Sequence, residues 1–227
     1  MTVLGFDVFG TLVDPGDIAK HVRPFAGKGT DTLVGEWRRS QLEYAFRRAA
    51  MGCYRPFDRV TRGALDRALT VTGIDIPETD RERLVAAWTA LPAFADAVPA
   101  LETLRGRGHR CIAFSNGTSA GLQALMANTG LDAYLDDVLS VEAVRTFKPA
   151  PAVYDYLVES GGLNRAQTWL VSANPWDVIG ARSAGLRGAW LQRDPDKAFD
   201  PWDESPDVVV GSLTELAEGP VLAAPGS

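Results

Sequence analysis

The chain has 227 residues with a formal net charge of −6, and 46% of them are hydrophobic, which is enough for one sizeable core and a smaller second module. There is no basic tail or stripe, which argues against nucleic acid as a partner because phosphate neutralisation requires clustered Lys and Arg. No apolar run reaches the ~20 residues needed to cross a bilayer, and no signal-peptide pattern opens the chain. We therefore expect a cytoplasmic protein that contacts no membrane. The 19 Arg among 23 basic residues indicate a GC-rich bacterial genome.

The predicted elements begin with a short strand over Thr2–Asp7, whose unbroken apolar run suits a parallel strand buried on both faces. From residue 15 to residue 93 the apolar positions follow helical spacing, as in Leu33 and Trp37. Thr79–Glu82 has the sequence of a capping box and predicts the start of a third helix in this stretch. We therefore interpret residues 15–93 as an inserted helical cap domain.

After residue 94, helix and strand patterns alternate along the chain. The predicted strands lie at residues 110–115, 138–141, 168–172, 188–191 and 207–210. Strands that alternate with helices form right-handed βαβ units, which predicts an α/β fold with a doubly wound parallel sheet. This Rossmann-like core domain would comprise residues 1–14 and 94–227. In such sheets a ligand binds outside the carboxyl ends of the strands, at a switch in strand order.

Polar side chains follow the predicted strands at the points where the strands end. They are Asp7, Ser115, Asn116, Lys148, Ser172, Asn174 and Asp177. Each of them alone would be read as a turn, cap or solvated residue. Because the carboxyl ends of parallel strands meet at one edge of a sheet, we expect these side chains to converge on one site.

Five segments together resemble the haloacid dehalogenase superfamily and, within it, the L-2-haloacid dehalogenases. They are Phe6–Leu12, Trp37–Tyr44, Ser115–Gly117, Lys148–Pro149 and Val171–Asp177. The resemblance covers nearly the whole chain and includes the helical cap after the first strand. It implies the same Rossmann-like core with an inserted cap that the pattern of elements predicts.

Two departures from the superfamily's magnesium-dependent phosphatases decide which chemistry the resemblance implies. Those enzymes place a second Asp two residues after the nucleophile, as proton donor and acceptor, and this chain has Phe9 there. Their fourth motif resembles Val-Gly-Asp-Thr-Pro-x-Asp, and its metal-binding Asp is replaced here by Ala173. Dehalogenation needs neither group, because halide leaves as a stable anion. We therefore expect no metal ion and no organic cofactor.

The resemblance makes Asp7 the nucleophile, which would attack C2 of a short (S)-2-haloalkanoic acid, expel halide and form an ester. Water would then hydrolyse the ester to the (R)-2-hydroxy acid, so the 2-haloacid and halide are the expected small-molecule partners. Lys148 would keep the Asp7 carboxylate ionised. Arg38 would add a second cation from the cap, near the leaving halide.

The resemblance also implies residues that position the nucleophile and the hydrolytic water. Thr11 lies one turn after Asp7 and would hold its carboxylate by a hydrogen bond. Asp177, together with Ser172 and Asn174, would form the site of the water that attacks the ester.

The expected substrate-binding residues come from both predicted domains. Ser115 and Asn116 would bind the substrate carboxylate through a helix N-terminus, and the other expected pocket residues are Phe9, Leu42, Phe57, Tyr154 and Trp176. Phe9 stands where relatives commonly have Tyr, and Arg39 stands where they commonly have Gln. We expect Arg39 near the mouth of the pocket, so both departures bear on substrate range.

Three other functions are compatible with parts of the sequence. The same carboxylate attack could open a strained cyclic imino acid such as azetidine-2-carboxylate. A magnesium-dependent phosphatase is disfavoured by Phe9 and Ala173, and a catalytically inactive binding module by the retention of Asp7, Lys148 and Asp177 together. Relatives are often homodimers, and the composition leaves the oligomeric state open.

Overall fold

The computed structural model of the protein describes residues 1–219, so the last eight positions of the predicted core domain, 220–227, lie outside the described residues. Within that range the core is a six-stranded sheet in which every neighbouring pair is parallel. Its strands are β1 (Val3–Phe6), β2 (Arg110–Ser115), β3 (Asp137–Ser140), β4 (Thr168–Ser172), β5 (Arg187–Leu191) and β6 (Val208–Val210). The predicted parallel α/β fold is confirmed, and each strand end lies within one residue of its predicted position.

The strand order β3-β2-β1-β4-β5-β6 places β1 in the middle of the sheet. β1 pairs with β2 on one side and with β4 on the other, and the chain winds outward from it in two directions. The carboxyl end of β1 is therefore the topological switch point at which open α/β sheets bind ligands. Asp7 is the first residue after β1 and lies at this point.

The helical stretch after β1 contains four α-helices within residues 15–93. They are α1 (Ile18–Ala26), α2 (Thr30–Met51), α3 (Phe57–Thr72) and α4 (Glu78–Ala87). The sequence pattern predicted three, because Pro24 interrupts the helical signal of the short α1. The predicted capping box is wrong. Pro77 occupies the cap position without a side-chain hydrogen bond, and Thr79 lies inside α4.

Helices of the core cover both faces of the sheet. Those within the described residues are α5 (Ala97–Gly106), α6 (Ser119–Thr129), α7 (Pro151–Gly161), α8 (Pro175–Ser183) and α9 (Leu213–Glu218). Successive strand residues point to opposite faces, so Leu4 and Phe6 pack in the cluster that includes α5 and α9, while Val3 packs with residues of α7. This double coverage is the reason why the strands read as continuous apolar runs.

Two neighbouring segments carry the chain out of the core and back. The Asp14 amide donates to the Pro92 carbonyl at 2.9 Å, and the Phe94 amide donates to the Leu12 carbonyl at 2.9 Å. The division into a core domain and a cap domain stays a prediction. The hydrogen bonds between residues 12–14 and residues 92–94 place the two ends of the helical stretch side by side, as that division requires. No helix within residues 1–219 is long and apolar enough to span a membrane.

Candidate active site

The Asp7 carboxylate is held by four side chains, three of which are at least 141 residues away in the sequence. Its Oδ2 accepts hydrogen bonds from Asn174 Nδ2 at 2.9 Å, Thr11 Oγ1 at 3.3 Å and Ser172 Oγ at 3.4 Å. Its Oδ1 accepts a hydrogen bond from Lys148 Nζ at 3.2 Å. The Asp7 amide donates to the carbonyl of Val171 in β4, so the backbone of the sheet also fixes the start of this loop.

The hydroxyl protons around Asp7 are oriented by the backbone after β4. The Ala173 amide donates to Thr11 Oγ1 at 2.9 Å, and the Asn174 amide donates to Ser172 Oγ at 3.1 Å. A hydroxyl that accepts from an amide N–H directs its own proton elsewhere, and the acceptor in reach is Asp7 Oδ2. The donor set around Asp7 is therefore preorganised, with both hydroxyls aimed at one carboxylate oxygen.

Lys148 is a buried cation shared by two carboxylates. Its ammonium donates to Asp177 Oδ2 at 2.8 Å, to the Phe114 carbonyl at 2.9 Å and to Asp7 Oδ1 at 3.2 Å, and only 1% of its side chain is exposed. Burial lowers the pKa of Lys148, but the charges of Asp177 and Asp7 outweigh burial, so its pKa is raised and the ammonium stays charged. Its backbone amide donates to Asn116 Oδ1 at 3.0 Å, which fixes the loop that carries it.

Asp177 lies behind Lys148, at the N-terminal end of α8. Its Oδ2 accepts from Lys148, and its Oδ1 accepts from the Tyr154 hydroxyl at 2.8 Å. Burial raises the pKa of Asp177, and the charge of Asp7 raises it further while Lys148 opposes both. Taken together, these influences leave the pKa of Asp177 raised. Burial also raises the pKa of Tyr154 well above its ordinary value, so this hydroxyl stays a donor.

A small cavity opens above Asp7 between the core and the helical stretch. Its empty space, including its mouth, is about 340 Å3, and so small a cavity suits a substrate of few atoms. All ten of its lining residues were named from the sequence: Asp7, Phe9, Arg38, Leu42, Phe57, Ser115, Asn116, Lys148, Asn174 and Trp176. The other four predicted site residues stand behind this wall: Thr11 and Ser172 against Asp7, and Asp177 and Tyr154 against Lys148.

Arg38 is the second cation of the cavity, and two residues that the sequence did not reveal hold it. Its guanidinium lies over the ring of Trp88, 5.1 Å from the centroid, and donates to Gln41 Oε1 at 3.3 Å. Burial lowers the pKa of Arg38 to about 10, although the Asp7 charge acts in the opposite direction, so it remains protonated at neutral pH. Trp88 also packs edge-on against Phe9, with ring centroids 5.7 Å apart. Gln41 could have been found from the sequence, because it lies three residues after Arg38 and therefore on the same face of the helix.

The expectation that Arg39 lies near the mouth of the pocket is wrong. Arg39 is an exposed residue of α2, and its guanidinium pairs with Glu36 at 2.6 Å and with Glu43 at 2.9 Å. Consecutive helical residues point about 100° apart, so the neighbour of a site residue turns away from the site. Arg39 is therefore absent from the lining of the cavity, whereas Phe9, the other departure, is part of it.

The carboxylates of the site pair with a protein cation. Among residues 1–219, no group of three or more His, Cys, Asp or Glu side chains could hold a metal ion. Asp7 and Asp177, the two carboxylates kept from that pattern, are bridged by the Lys148 ammonium. The donor set therefore suits an organic anion approaching Asp7 rather than a divalent cation.

Comparison with known proteins agrees with this geometry. Residues 1–185 match the family model of the haloacid dehalogenase-like hydrolases. Haloacetate dehalogenase H-2 of Moraxella sp. (strain B) is 35% identical over 208 residues, 91% of this chain and 92% of the relative. The (S)-2-haloacid dehalogenase of Pseudomonas fluorescens is 32% identical over 213 residues, 93% of each chain.

Among solved structures, the L-2-haloacid dehalogenase from Xanthobacter autotrophicus with chloropropionic acid covalently bound superposes with a TM-score of 0.91. It is 31% identical in sequence, and the match covers 96% of this chain and 97% of that one. The fold is thus that of a haloacid dehalogenase-like hydrolase. Within that class the chain belongs to the family of the (S)-2-haloacid dehalogenases, and the resemblance read from its motifs is confirmed.

Proposed function

We propose that the protein hydrolyses short (S)-2-haloalkanoic acids to (R)-2-hydroxy acids and halide, through an ester on Asp7 and without a metal ion. The observation that carries this proposal is the Asp7 carboxylate, with Oδ2 held by three donors and Oδ1 beside the Lys148 ammonium. The names of the relatives support the substrate class. The chloropropionic acid bound covalently in the related structure supports an ester intermediate.

Oδ1 of Asp7 is the oxygen that we assign to the attack on C2. Among the described residues it accepts a hydrogen bond only from Lys148, whereas Oδ2 accepts three. The lone pairs of Oδ1 are therefore less committed to hydrogen bonds and are available for attack. An electron pair of Oδ1 forms the new C–O bond from the side opposite the halogen, so configuration inverts. The halide leaves with the electron pair of the broken bond and needs no proton.

The donors around Oδ2 serve the second step. In the ester Oδ2 is the carbonyl oxygen, and attack of water on the carboxyl carbon places negative charge on it. Thr11, Ser172 and Asn174 already point at this atom, so they act as an oxyanion hole for the tetrahedral intermediate. Cleavage of the bond between the carboxyl carbon and Oδ1 then releases the hydroxy acid, whose new hydroxyl takes one proton of the water. The second proton passes to solvent, and the Asp7 carboxylate keeps the oxygen of that water.

The charges of the site balance an anionic substrate. Two carboxylates and the substrate carboxylate would repel one another in this buried setting, and the cations Lys148 and Arg38 offset them. We assign the substrate carboxylate to the turn before α6. There the Gly117 amide is engaged by Ser115 Oγ and the Ser119 amide by Glu142, so the carboxylate would bind the amides of residues 116 and 118. Arg38 would then lie near the halogen.

The hydrogen bonds of Asp177 support a different role from the one that the sequence suggested. The sequence suggested that it aligns the hydrolytic water, but both its oxygens are engaged, by Lys148 and by Tyr154, and it does not line the cavity. Alignment of a water would require one of these hydrogen bonds to be exchanged. We propose that Asp177 acts first as a positioning residue that holds Lys148 against Asp7, and that water reaches the ester from the side of Asn174, which does line the cavity.

Phosphatase activity is disfavoured by what stands at two positions. Phe9 forms part of an apolar wall with Trp88 where a phosphatase would need a proton donor. Ala173 stands where a phosphatase would have a metal-binding Asp, and a methyl side chain cannot ligate a metal ion. Magnesium-dependent hydrolysis of p-nitrophenyl phosphate is therefore expected to be absent.

Halide release from the separate enantiomers of 2-chloropropionate, with and without EDTA, tests the proposal. We expect chloride from the (S) enantiomer alone and the same rate in EDTA. Asp7→Asn should abolish release, while Asp75→Asn, a matched change of a surface carboxylate that is 97% exposed, should leave it unchanged. No chloride from either enantiomer would overturn the proposed function, and loss of activity in EDTA would overturn the metal-free mechanism.

A cytoplasmic location and a homodimer complete the proposal. Support for the location is that both cysteines of the chain, Cys53 and Cys111, are free thiols, as expected in a reducing compartment. The homodimer rests on the family alone, and sedimentation velocity distinguishes it from a monomer of 24.4 kDa.

A further inference from the structure

The loop that follows β5 places two cations behind the loops that hold the nucleophile. We refer to residues 192–197 as the post-β5 loop. Arg193 Nη2 donates to the Thr11 carbonyl at 2.7 Å, and Lys197 Nζ donates to the Ala173 carbonyl at 3.2 Å. Thr11 donates to the nucleophile, and the Ala173 amide orients its hydroxyl. The post-β5 loop therefore contacts the backbone of the donor set from the side away from the cavity.

A bidentate ion pair fixes the orientation of the Arg193 guanidinium. Nη1 donates to Asp96 Oδ2 at 3.1 Å, and Nη2 donates to Asp96 Oδ1 at 3.0 Å. The guanidinium carbon lies 3.8 Å from the centroid of the Phe94 ring, and the Arg193 and Asp96 side chains are only 20% and 17% exposed. A carboxylate bound at two points sets the plane of the guanidinium. The second N–H of Nη2 is therefore directed at the Thr11 carbonyl.

Thr11 is fixed at both its side chain and its backbone. Its hydroxyl accepts from the Ala173 amide at 2.9 Å and donates to Asp7 Oδ2 at 3.3 Å, while its carbonyl accepts from Arg193. The residue is fully buried, and a buried carbonyl that loses its hydrogen bond is destabilising. Loss of the Arg193 side chain should therefore shift the backbone of Thr11 and, with it, the hydroxyl that points at Asp7.

We propose that Arg193 is a positioning residue for hydrolysis of the ester and that it acts through the Thr11 hydroxyl. The inference rests on the proposed function, in which Oδ2 of Asp7 becomes the ester carbonyl oxygen and Thr11 is one of its three donors. Displacement of Thr11 weakens the stabilisation of the tetrahedral intermediate. Formation of the ester uses Oδ1, which Lys148 contacts, so this step is affected less. The signature of Arg193 is a change in the ratio of the rates of the two steps.

Rapid quench of a single turnover of (S)-2-chloropropionate measures both steps, because the mass of the quenched protein reports the ester on Asp7. Removal of an oxyanion-hole donor costs about 10²–10³-fold, and a residue that acts through one such donor should cost less. We expect Arg193→Met to slow ester hydrolysis about tenfold while ester formation changes less than about twofold. Simple destabilisation of the protein would instead lower the active fraction and leave the ratio of the two rates unchanged.

Matched variants separate this role from a general effect of charge. Arg187→Met, at the other end of β5 and with a side chain that is 49% exposed in the native protein, should leave both rates unchanged. Lys197→Met should change the ratio in the same direction by a smaller factor, because an exposed ammonium contributes little. In a Thr11→Val background the hydroxyl is absent, so adding Arg193→Met should slow ester hydrolysis by less than about a further twofold.

The proposal is overturned if Arg193→Met folds and keeps the wild-type ratio of the two rates. It is also overturned if Arg193→Met slows hydrolysis as much in the Thr11→Val background as in wild type, since Arg193 would then act by another route. If Arg193→Met does not fold, Arg193→Lys decides the question with the same expected change. Its side chain is one bond shorter and lacks the fork that reaches both acceptors.

Failure of wild type to release chloride from (S)-2-chloropropionate is a different result and refutes the proposed function instead. In that case hydrogen exchange of the peptide that contains residues 8–14 still tests the contact between Arg193 and the Thr11 carbonyl. Arg193→Met should speed the exchange of this peptide, whereas Arg187→Met should not. Equal exchange in wild type and Arg193→Met would overturn the positioning role.

Discussion

Replacement of Lys148 by Met isolates the contribution of the cation shared by Asp7 and Asp177. The change keeps an unbranched side chain of similar length but removes three hydrogen bonds of 2.8, 2.9 and 3.2 Å. Removing one partner of a buried ion pair costs about 3–5 kcal/mol, because it leaves an uncompensated buried charge. We expect a loss of this size in the free energy of unfolding at alkaline pH, together with a loss of dehalogenation by at least ~10²-fold.

The loss should depend on pH with a defined sign. Lys148 opposes the raised pKa of Asp177, so its removal lets Asp177 keep a proton in the folded state to higher pH than in the unfolded state. Between the ordinary pKa of about 4 and the higher folded value, the folded state binds more protons. The free energy of unfolding therefore falls as pH rises, by up to about 1.4 kcal/mol per pH unit for one proton, and the variant is most stable at the acidic end.

Urea unfolding between about pH 5 and pH 8 measures both quantities, with linear extrapolation at each pH. The double variant Lys148→Met, Asp177→Asn removes the titrating carboxylate and should lose the extra slope seen in the single variant. If Lys148→Met changes the free energy of unfolding by less than about 1 kcal/mol and keeps the wild-type slope, the shared-cation description of the site is wrong.

Three further variants test the surroundings of the nucleophile. Asn174→Ala removes the 2.9 Å donor to Asp7 Oδ2 and should lower kcat about 10²–10³-fold by slowing ester hydrolysis, which rapid quench would show as accumulated ester. Tyr154→Phe removes the hydroxyl that donates to Asp177 and should cost about 1.5–3 kcal/mol in urea unfolding, with KM unchanged. Gly180→Ala would place a Cβ 2.4 Å from Tyr154 Oη. This overpacking should lower the free energy of unfolding by about 1–3 kcal/mol and lower kcat more than the conservative Tyr154→Phe. A Gly180→Ala variant as stable as wild type would contradict the close packing of Tyr154 against α8.

Much of the fold was predictable because the signals that specify it are local. The strand bounds followed from short apolar runs, as at Thr168–Ser172, where prediction and structure coincide. The convergence of Asp7 with Lys148, 141 residues apart, followed from the rule that strand ends of a parallel sheet meet at one edge. The helical stretch was harder, since helix boundaries depend on backbone geometry that sequence patterns only suggest. Thr79 looks like a cap, yet the chain already turns into α4 after Pro77.

The details of the site that sequence reasoning missed are those set by tertiary packing. Trp88 reaches Arg38 from a short 3-10 turn after α4, a contact with no sequence signature. Arg39 adjoins a site residue in sequence, but the helical rotation directs it to Glu36 and Glu43 on the same helix. Asp177 accepts a hydrogen bond from Lys148, but its position behind Lys148, away from the cavity, could not be read from a motif.

A single turnover in ¹⁸O-labelled water tests the central claim most directly. Enzyme in excess over (S)-2-chloropropionate is quenched after one turnover, digested and analysed by mass spectrometry of the peptide that contains Asp7. The ester mechanism predicts ¹⁸O in the Asp7 carboxylate and none in the first molecule of 2-hydroxypropionate, because the product takes its oxygen from Asp7. Label in the product with an unlabelled Asp7 would mean direct attack of water on C2 and would contradict the account.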